Sequence, residues 1–195
     1  SAAIGGLPAT KKRAAGLHRF AHAQQTLQVL IAPLHPVPRL LVLGAGLDAI
    51  PLVTLADTLG WRVSVADHRP AYLARNGFGA AEHTLCAPAT ELAQRLPLAT
   101  FAAVVVMSHH LATDRVYLQQ LCASTIPYIG LLGPQARRER LLQDLGAAAR
   151  TLQGRLHGPA GLDIGADSPE SIALSILAQI QAVSPPAAEL RRTAS

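Results

Sequence analysis

Charge is scarce in this sequence, and so is cysteine. Charged residues make up 15 % of the 195 positions, against roughly 25 % in an average soluble domain. The two cysteines, Cys86 and Cys122, lie far apart. That excludes a disulfide framework and a zinc motif, and it makes a reducing cytoplasm the expected location. No apolar run approaches the ~20 residues that span a bilayer. The first ten residues lack a basic segment followed by an apolar one, so no signal peptide is expected.

What is present is a large apolar fraction. Half of the chain is hydrophobic, enough to bury the core of one domain. The net charge is +5 and the sequence pI is near 9.9, values that by themselves suggest nucleic acid or an anionic membrane. The distribution argues otherwise. Residues 1–39 hold five basic side chains and no acid, whereas residues 40–182 hold ten arginines against eleven acids. The excess belongs to the two ends, so neither nucleic acid nor a membrane is expected as a partner.

Residues 1–16 read as a flexible lead. Leu17, Phe20, Ala21, Leu27, Leu30 and Ile31 then recur at helical spacing, which predicts one amphipathic helix over 17–32. His18 and His22 stand four apart on it, but with no carboxylate or cysteine beside them no metal is expected. From Leu40 onward, apolar runs alternate with helical stretches. Strands are expected at 40–43, 62–66, 83–85, 101–107 and 127–132. Helices are expected from the residues after Gly44 to about 59, over about 90–96, 113–123 and 135–145, and from Ser168 until Pro185-Pro186 ends the last. The run Phe101–Met107 shows no alternation, as in a parallel sheet covered on both faces. The pattern predicts a doubly wound α/β fold with a mostly parallel sheet and an N-terminal helical extension. Residues 1–38 form the lead and helix, 39–183 the domain, and 184–195 a tail.

Gly44-Ala45-Gly46-Leu47-Asp48-Ala49 follows the first of these strands and opens a helix. Gly44 permits a tight turn, Gly46 lets a pyrophosphate approach the backbone, and Ala49 permits close helix–strand packing. The N–H groups at the helix start then face the phosphates. Asp67 ends the next strand, where a carboxylate can accept from ribose hydroxyls, and Arg69 beside it leaves a 2′-phosphate open. Structural glycines serving only the turn are the plainer alternative. Ser108, His109 and His110 end the 101–107 run, which places His109 to meet a ligand or to move a proton. His157, Gly161 and Asp163 lie in a glycine-rich stretch that can bring backbone close to a ligand. Arg137, Arg138 and Arg140 read as a solvated helix face rather than an anion grip. Both cysteines read as small buried hydrophobes, with Cys86 the more reachable.

Several of these segments resemble the xanthine dehydrogenase accessory family (XdhC/CoxI), in its C-terminal Rossmann domain. They are Arg39–Leu52, Gly60–Val63 running into Ala66-Asp67-His68-Arg69-Pro70, and Val104–His109. The most specific are Tyr128–Gly133 and His157–Ala166 running into Ser168–Ala173. The resemblance covers about residues 39–182. It implies a chaperone rather than a turnover enzyme, one that matures a molybdenum hydroxylase by handling molybdenum cofactor (molybdopterin or its cytosine dinucleotide). Implied partners are the apo-hydroxylase and a cysteine desulfurase or cofactor nucleotidyltransferase. Within it, Gly44, Gly46, Asp48, Ala49, Asp67, His68, Arg69, Ser108, His109, Gly133, His157, Gly161 and Asp163 are the expected cofactor contacts. The family also carries an N-terminal Cys-containing domain that residues 1–38 do not supply. Gly133-Pro134-Gln135-Ala136 stands where the family more often has Ser- and Arg-rich residues. Two other readings stand beside this one: an NAD(P)-dependent oxidoreductase with His109 as acid/base, and an interaction scaffold with a vestigial nucleotide site. A homodimer through the N-terminal helix is a further expectation.

Overall fold

Leu40, Leu41, Val42 and Leu43 have no solvent exposure at all, and they form the centre of a sheet. A computed structural model of the chain describes residues 16–22, 25–31, 37–75 and 77–183. Strands β3 (Arg39–Leu43), β4 (Arg62–Asp67), β5 (His83–Cys86), β6 (Ala103–Val106), β7 (Tyr128–Leu131) and β8 (Leu156–His157) form one sheet in the order β5-β4-β3-β6-β7-β8. Every neighbouring pair is parallel. This is the doubly wound α/β order of dinucleotide-binding folds, and it reverses direction between β3 and β6.

The apolar runs are continuous because both faces of the sheet are covered. Leu40, Val42, Val63, Val65, Ala103 and Val105 face one layer. That layer is built from helix α1 (Ala49–Thr58) and the C-terminal helix, Pro169–Val183. Leu41, Leu43, Val104, Val106, Ile129 and Leu131 face the other. There the short helix α3 (Leu92–Arg95) precedes the main covering helices α4 (Leu111–Cys122) and α5 (Gln135–Leu145) in the chain, whereas the short helix α2 (Pro70–Leu73) packs Tyr72 and Leu73 against the first layer. The C-terminal helix is α6. Pro169 occupies its first position, and Ser168 Oγ accepts from the Ser171 N–H at 3.2 Å, so its start matches the sequence expectation.

The N-terminal segment differs from expectation. The described residues of 17–32 do not form a helix. Strands β1 (Gly16–His22) and β2 (Gln25–Ile31) pair antiparallel, from Gly16 opposite Ile31 to His22 opposite Gln25. Phe20, Thr26, Val29 and Ile31 are β-formers. Leu17, Leu27, Val29 and Leu30 are exposed, so no one-sided burial wrote a strand alternation into the sequence. The hairpin belongs to a separate unit, residues 1–36. His18 and His22 therefore sit on a strand, about 13 Å apart along it, and the helix invoked for dimerisation is absent from the described residues. Residues 1–15 of the expected lead and the expected tail, 184–195, lie outside the described residues. Small elements were also missed: α2, the two-residue β8 and 3₁₀ segments at Leu98–Thr100 and Gly146–Leu152.

Candidate functional site

The turn after β3 is set by contacts with the neighbouring strand. Gly44 has φ +120°, and a Cβ there would lie 2.5 Å from the Met107 carbonyl oxygen at the end of β6. Its N–H donates to the Ala66 carbonyl of β4 at 2.9 Å. Gly44 is thus wedged between both neighbours of β3. Gly46 has no such strain, and a Cβ there would meet the Asp48 carboxylate. Ala49 is fully buried against the sheet, as expected. Among the described residues, no acceptor faces the N–H groups of Leu47 and Asp48. They are free donors immediately before α1, whose own first N–H groups, those of Ala49 and Ile50, donate to the Gly46 and Leu47 carbonyls.

Asp67 sits at the end of β4 and is 1 % exposed. Its carboxylate accepts from the Ala45 N–H at 2.8 Å and the Arg69 N–H at 2.9 Å. It also accepts from Arg69 Nε at 2.9 Å and Nη2 at 2.8 Å. His68 Nδ1 stands 3.5 Å away. The sequence-expected ribose acceptor therefore spends its lone pairs on its own chain. Burial alone would raise the Asp67 pKa. The Arg69 side-chain hydrogen bonds, the two N–H groups and the Arg69 charge outweigh it and hold the carboxyl below its ordinary value. A depressed folded-state pKa gives stability that is complete above the unfolded value, about pH 4, and is lost as pH falls through the folded one. Urea unfolding at pH 3 and pH 6 should show this as a steeper acid loss in wild type than in Asp67→Asn. Equal slopes would show that the pair adds nothing.

His109 is the single non-glycine residue with positive φ among those described, at 60°. The conformation brings its Nε2 to 2.7 Å from Asp48 Oδ2, linking the ends of β6 and β3 across the point where the strand order reverses. Backbone strain of this kind concentrates at functional sites. Ser108 points the other way. Its hydroxyl donates to Asp114 Oδ1 at 2.5 Å, and Asp114, fully buried, also accepts from Arg137 Nε at 3.1 Å and Nη2 at 2.5 Å. Arg137 is therefore no solvated helix residue, because it neutralises a buried acid. Its Cδ lies 2.8 Å from where a Cβ of Gly133 would be. Arg138 is also half-buried, with its Cδ under Gly158, while Arg140 is exposed. Cys86 is exposed and Cys122 half-buried, so neither is the core residue expected.

Two clefts open at this end of the sheet. One of about 460 Å³ lies at the ends of β4 and β5 and the first turns of α4, lined by His68, Pro88, Thr90, Thr113 and Val116. The other, about 530 Å³, lies at the end of β7 and under the loop after β8, lined by Gly133, Pro134, Ala160, Leu162, Asp163 and Ser175. Gln179 of α6 clamps that loop. Its Oε1 accepts from the Gly161 N–H at 2.9 Å and from the Tyr128 hydroxyl at 2.7 Å, and its Nε2 donates to the Gly161 carbonyl at 3.1 Å. Gly161, at φ +109°, rests directly on Ser175. His157 stacks on Tyr128 with ring centroids 4.7 Å apart. Burial, and secondarily the Arg138 charge, lowers its pKa, so it is neutral at pH 7.

The expected residues thus divide by position. Gly44, Gly46, Asp48, Asp67, Arg69 and His109 gather around the strand reversal. His68 borders the first cleft, while Gly133, Gly161 and Asp163 border the second. Ser108, Ala49 and His157 are tied into packing. The partners the sequence reading missed are Asp114, Gln179 and Tyr128, whose roles arise from contacts between distant segments.

Residues 40–180 match the family model described as the XdhC Rossmann domain. The chain is 36 % identical over 159 residues to a probable xanthine dehydrogenase subunit of Bacillus subtilis (strain 168), covering 82 % of this chain and 47 % of that protein. It is 31 % identical over 147 residues to the uncharacterized protein YqeB of Escherichia coli (strain K12), covering 73 % of this chain and 27 % of that one. A crystal structure of a xanthine dehydrogenase from Bacillus halodurans superposes with a TM-score of 0.66 at 34 % identity, over 84 % of this chain and 48 % of the other. The chain spans about half the length of these relatives or less. It belongs to the XdhC family, whose Rossmann domain makes up its six-stranded body.

Proposed function

We propose that this chain is the nucleotide-holding domain of an accessory protein for molybdenum-hydroxylase maturation. Its crevice would take a dinucleotide-type ligand, either molybdenum cofactor in its cytosine dinucleotide form or NAD(P). The observation that carries the reading is the free donor edge at Leu47 and Asp48, set between two clefts on either side of the strand reversal. A pyrophosphate bridges two bulky halves at the spacing such an arrangement serves. The base half fits the cleft beside His68, and the other half the cleft beside Gly133 and Asp163. Asp48 puts a carboxylate near the phosphate position, and its Oδ2 is turned to the His109 ring nitrogen rather than left free. When bound, molybdenum cofactor would bring the metal centre that the client hydroxylase uses. The chain's own residues would hold its phosphates and cover its ends. The apo-hydroxylase, with a cysteine desulfurase or a cofactor nucleotidyltransferase, would be the partners in this role.

A second reading, an NAD(P)-dependent oxidoreductase, is favoured by the same Asp48–His109 pair, which fixes an imidazole as an acid/base group at the reversal point. Titration calorimetry with molybdenum cofactor, CTP, NAD(H) and NADP(H) separates the readings. The accessory role predicts binding without turnover, and Gly46→Val should weaken it tenfold or more while leaving the melting temperature nearly unchanged. Hydride transfer from a bound nicotinamide would overturn the accessory role. No binding of any of these would leave the interaction scaffold.

A further inference from the structure

A carboxylate at the end of the second strand of such a sheet ordinarily takes the ribose diol and repels a 2′-phosphate. Asp67 is in that position, but it is buried and its four acceptor directions are filled by Ala45 and Arg69. The groups presented in its place include two guanidinium groups. Arg69 Cζ lies 3.6 Å over the Tyr72 ring centroid, and Arg75 Cζ lies 4.1 Å from the same centroid. The two guanidinium groups are thereby held on one aromatic platform directly after β4. The Nε and Nη2 donors on one edge of the Arg69 guanidinium face Asp67, which fixes its plane and leaves Nη1 for a further acceptor. Arg75 is exposed and has no carboxylate partner among the described residues. His68 borders both Asp67 and the base-side cleft.

We infer that the crevice selects a nucleotide with an anionic group on the ribose, a 2′-phosphate, over one with a free diol. The Arg69–Tyr72–Arg75 stack would be the selecting device. This rests on the nucleotide reading above and chooses within it. Arg75 supplies the movable charge, since removing Arg69 would also leave the buried Asp67 unpaired and would test the fold instead.

NADPH and NADH differ only in the 2′-phosphate, so the test compares their affinities by calorimetry on the intact chain at low salt, with CTP in parallel. NADPH should bind at least tenfold more tightly. Arg75→Ala should cut that ratio to threefold or less, and Arg75→Glu should remove or invert it, with NADH affinity little changed. Equal wild-type affinities would overturn the selection and leave the nucleotide site standing. So would binding of CTP with neither nicotinamide nucleotide. An NADPH preference that survives Arg75→Glu would overturn the assignment to the stack. Failure of all three nucleotides and of molybdenum cofactor to bind would overturn both the selection and the nucleotide reading, and binding of molybdenum cofactor alone would overturn the selection only.

Discussion

Gly44→Ala should cost the domain about 4 kcal/mol or more, a melting-temperature fall of roughly 10 °C. Two independent penalties combine. The first is conformational, because φ +120° is a backbone region closed to residues with a Cβ. The second is steric. The new methyl would meet the Met107 carbonyl oxygen at 2.5 Å, the Met107 carbonyl carbon at 2.7 Å and Ser108 Cα at 2.8 Å. All three are backbone atoms at the end of β6, and they cannot rotate away. Relief would require β3 and β6 to separate, yet both lie at the centre of the sheet with their side chains fully packed. Gly46→Ala is the control. Its Cβ meets the end of the Asp48 side chain, which can turn aside, and it should cost less than about 1 kcal/mol. Thermal unfolding of the two variants decides the matter, and equal losses would refute the account. The first two glycines of the motif thus have different duties: Gly44 serves the fold, and Gly46 serves access to the helix N-terminus.

Arg137→Ala should cost about 3–5 kcal/mol, because it strands a buried carboxylate. Asp114 keeps only the Ser108 hydroxyl once Arg137 is gone, and one neutral donor does not replace a guanidinium fork. The damage should extend to the site, since this network joins the end of β6 to α4 and α5 just below His109. The double variant Asp114→Leu with Arg137→Leu should recover much of the loss, because a packed apolar pair carries no desolvation penalty. Urea midpoints for the single and double variants provide the check. Additive losses would show that the two side chains act independently.

The sequence reading succeeded where burial imposes a pattern. From Leu40 to Val183 the continuous apolar strands, Gly44, the acid at Asp67 and the Ser168-Pro169 helix start were all legible, because two covered sheet faces leave little freedom. It failed for 17–32, where Leu17, Leu27, Val29 and Leu30 stay exposed and helical spacing arose without a helix. It could not find β8, since two residues are too few to show a period. The Asp48–His109 contact was illegible for another reason. Its residues lie 61 positions apart and meet only because β3 and β6, which are not consecutive, are neighbours. Arg137 misled for a similar reason, because its carboxylate partner lies 23 residues earlier on another helix. Local composition locates the ends of strands, and topology decides which of those ends touch.

The two outermost strands have a consequence for life in a crowded solution. An open parallel sheet exposes a row of unpaired amides along each margin, and a long flat margin invites another chain to add itself. Here one margin is the four-residue β5, whose His83, Thr84 and Cys86 side chains face water. The other is the two-residue β8, followed at once by Gly158 and by Pro159, which has no N–H to give. A body this rich in aliphatic side chains is prone to self-adhesion, and it offers almost no template along which aggregation could spread.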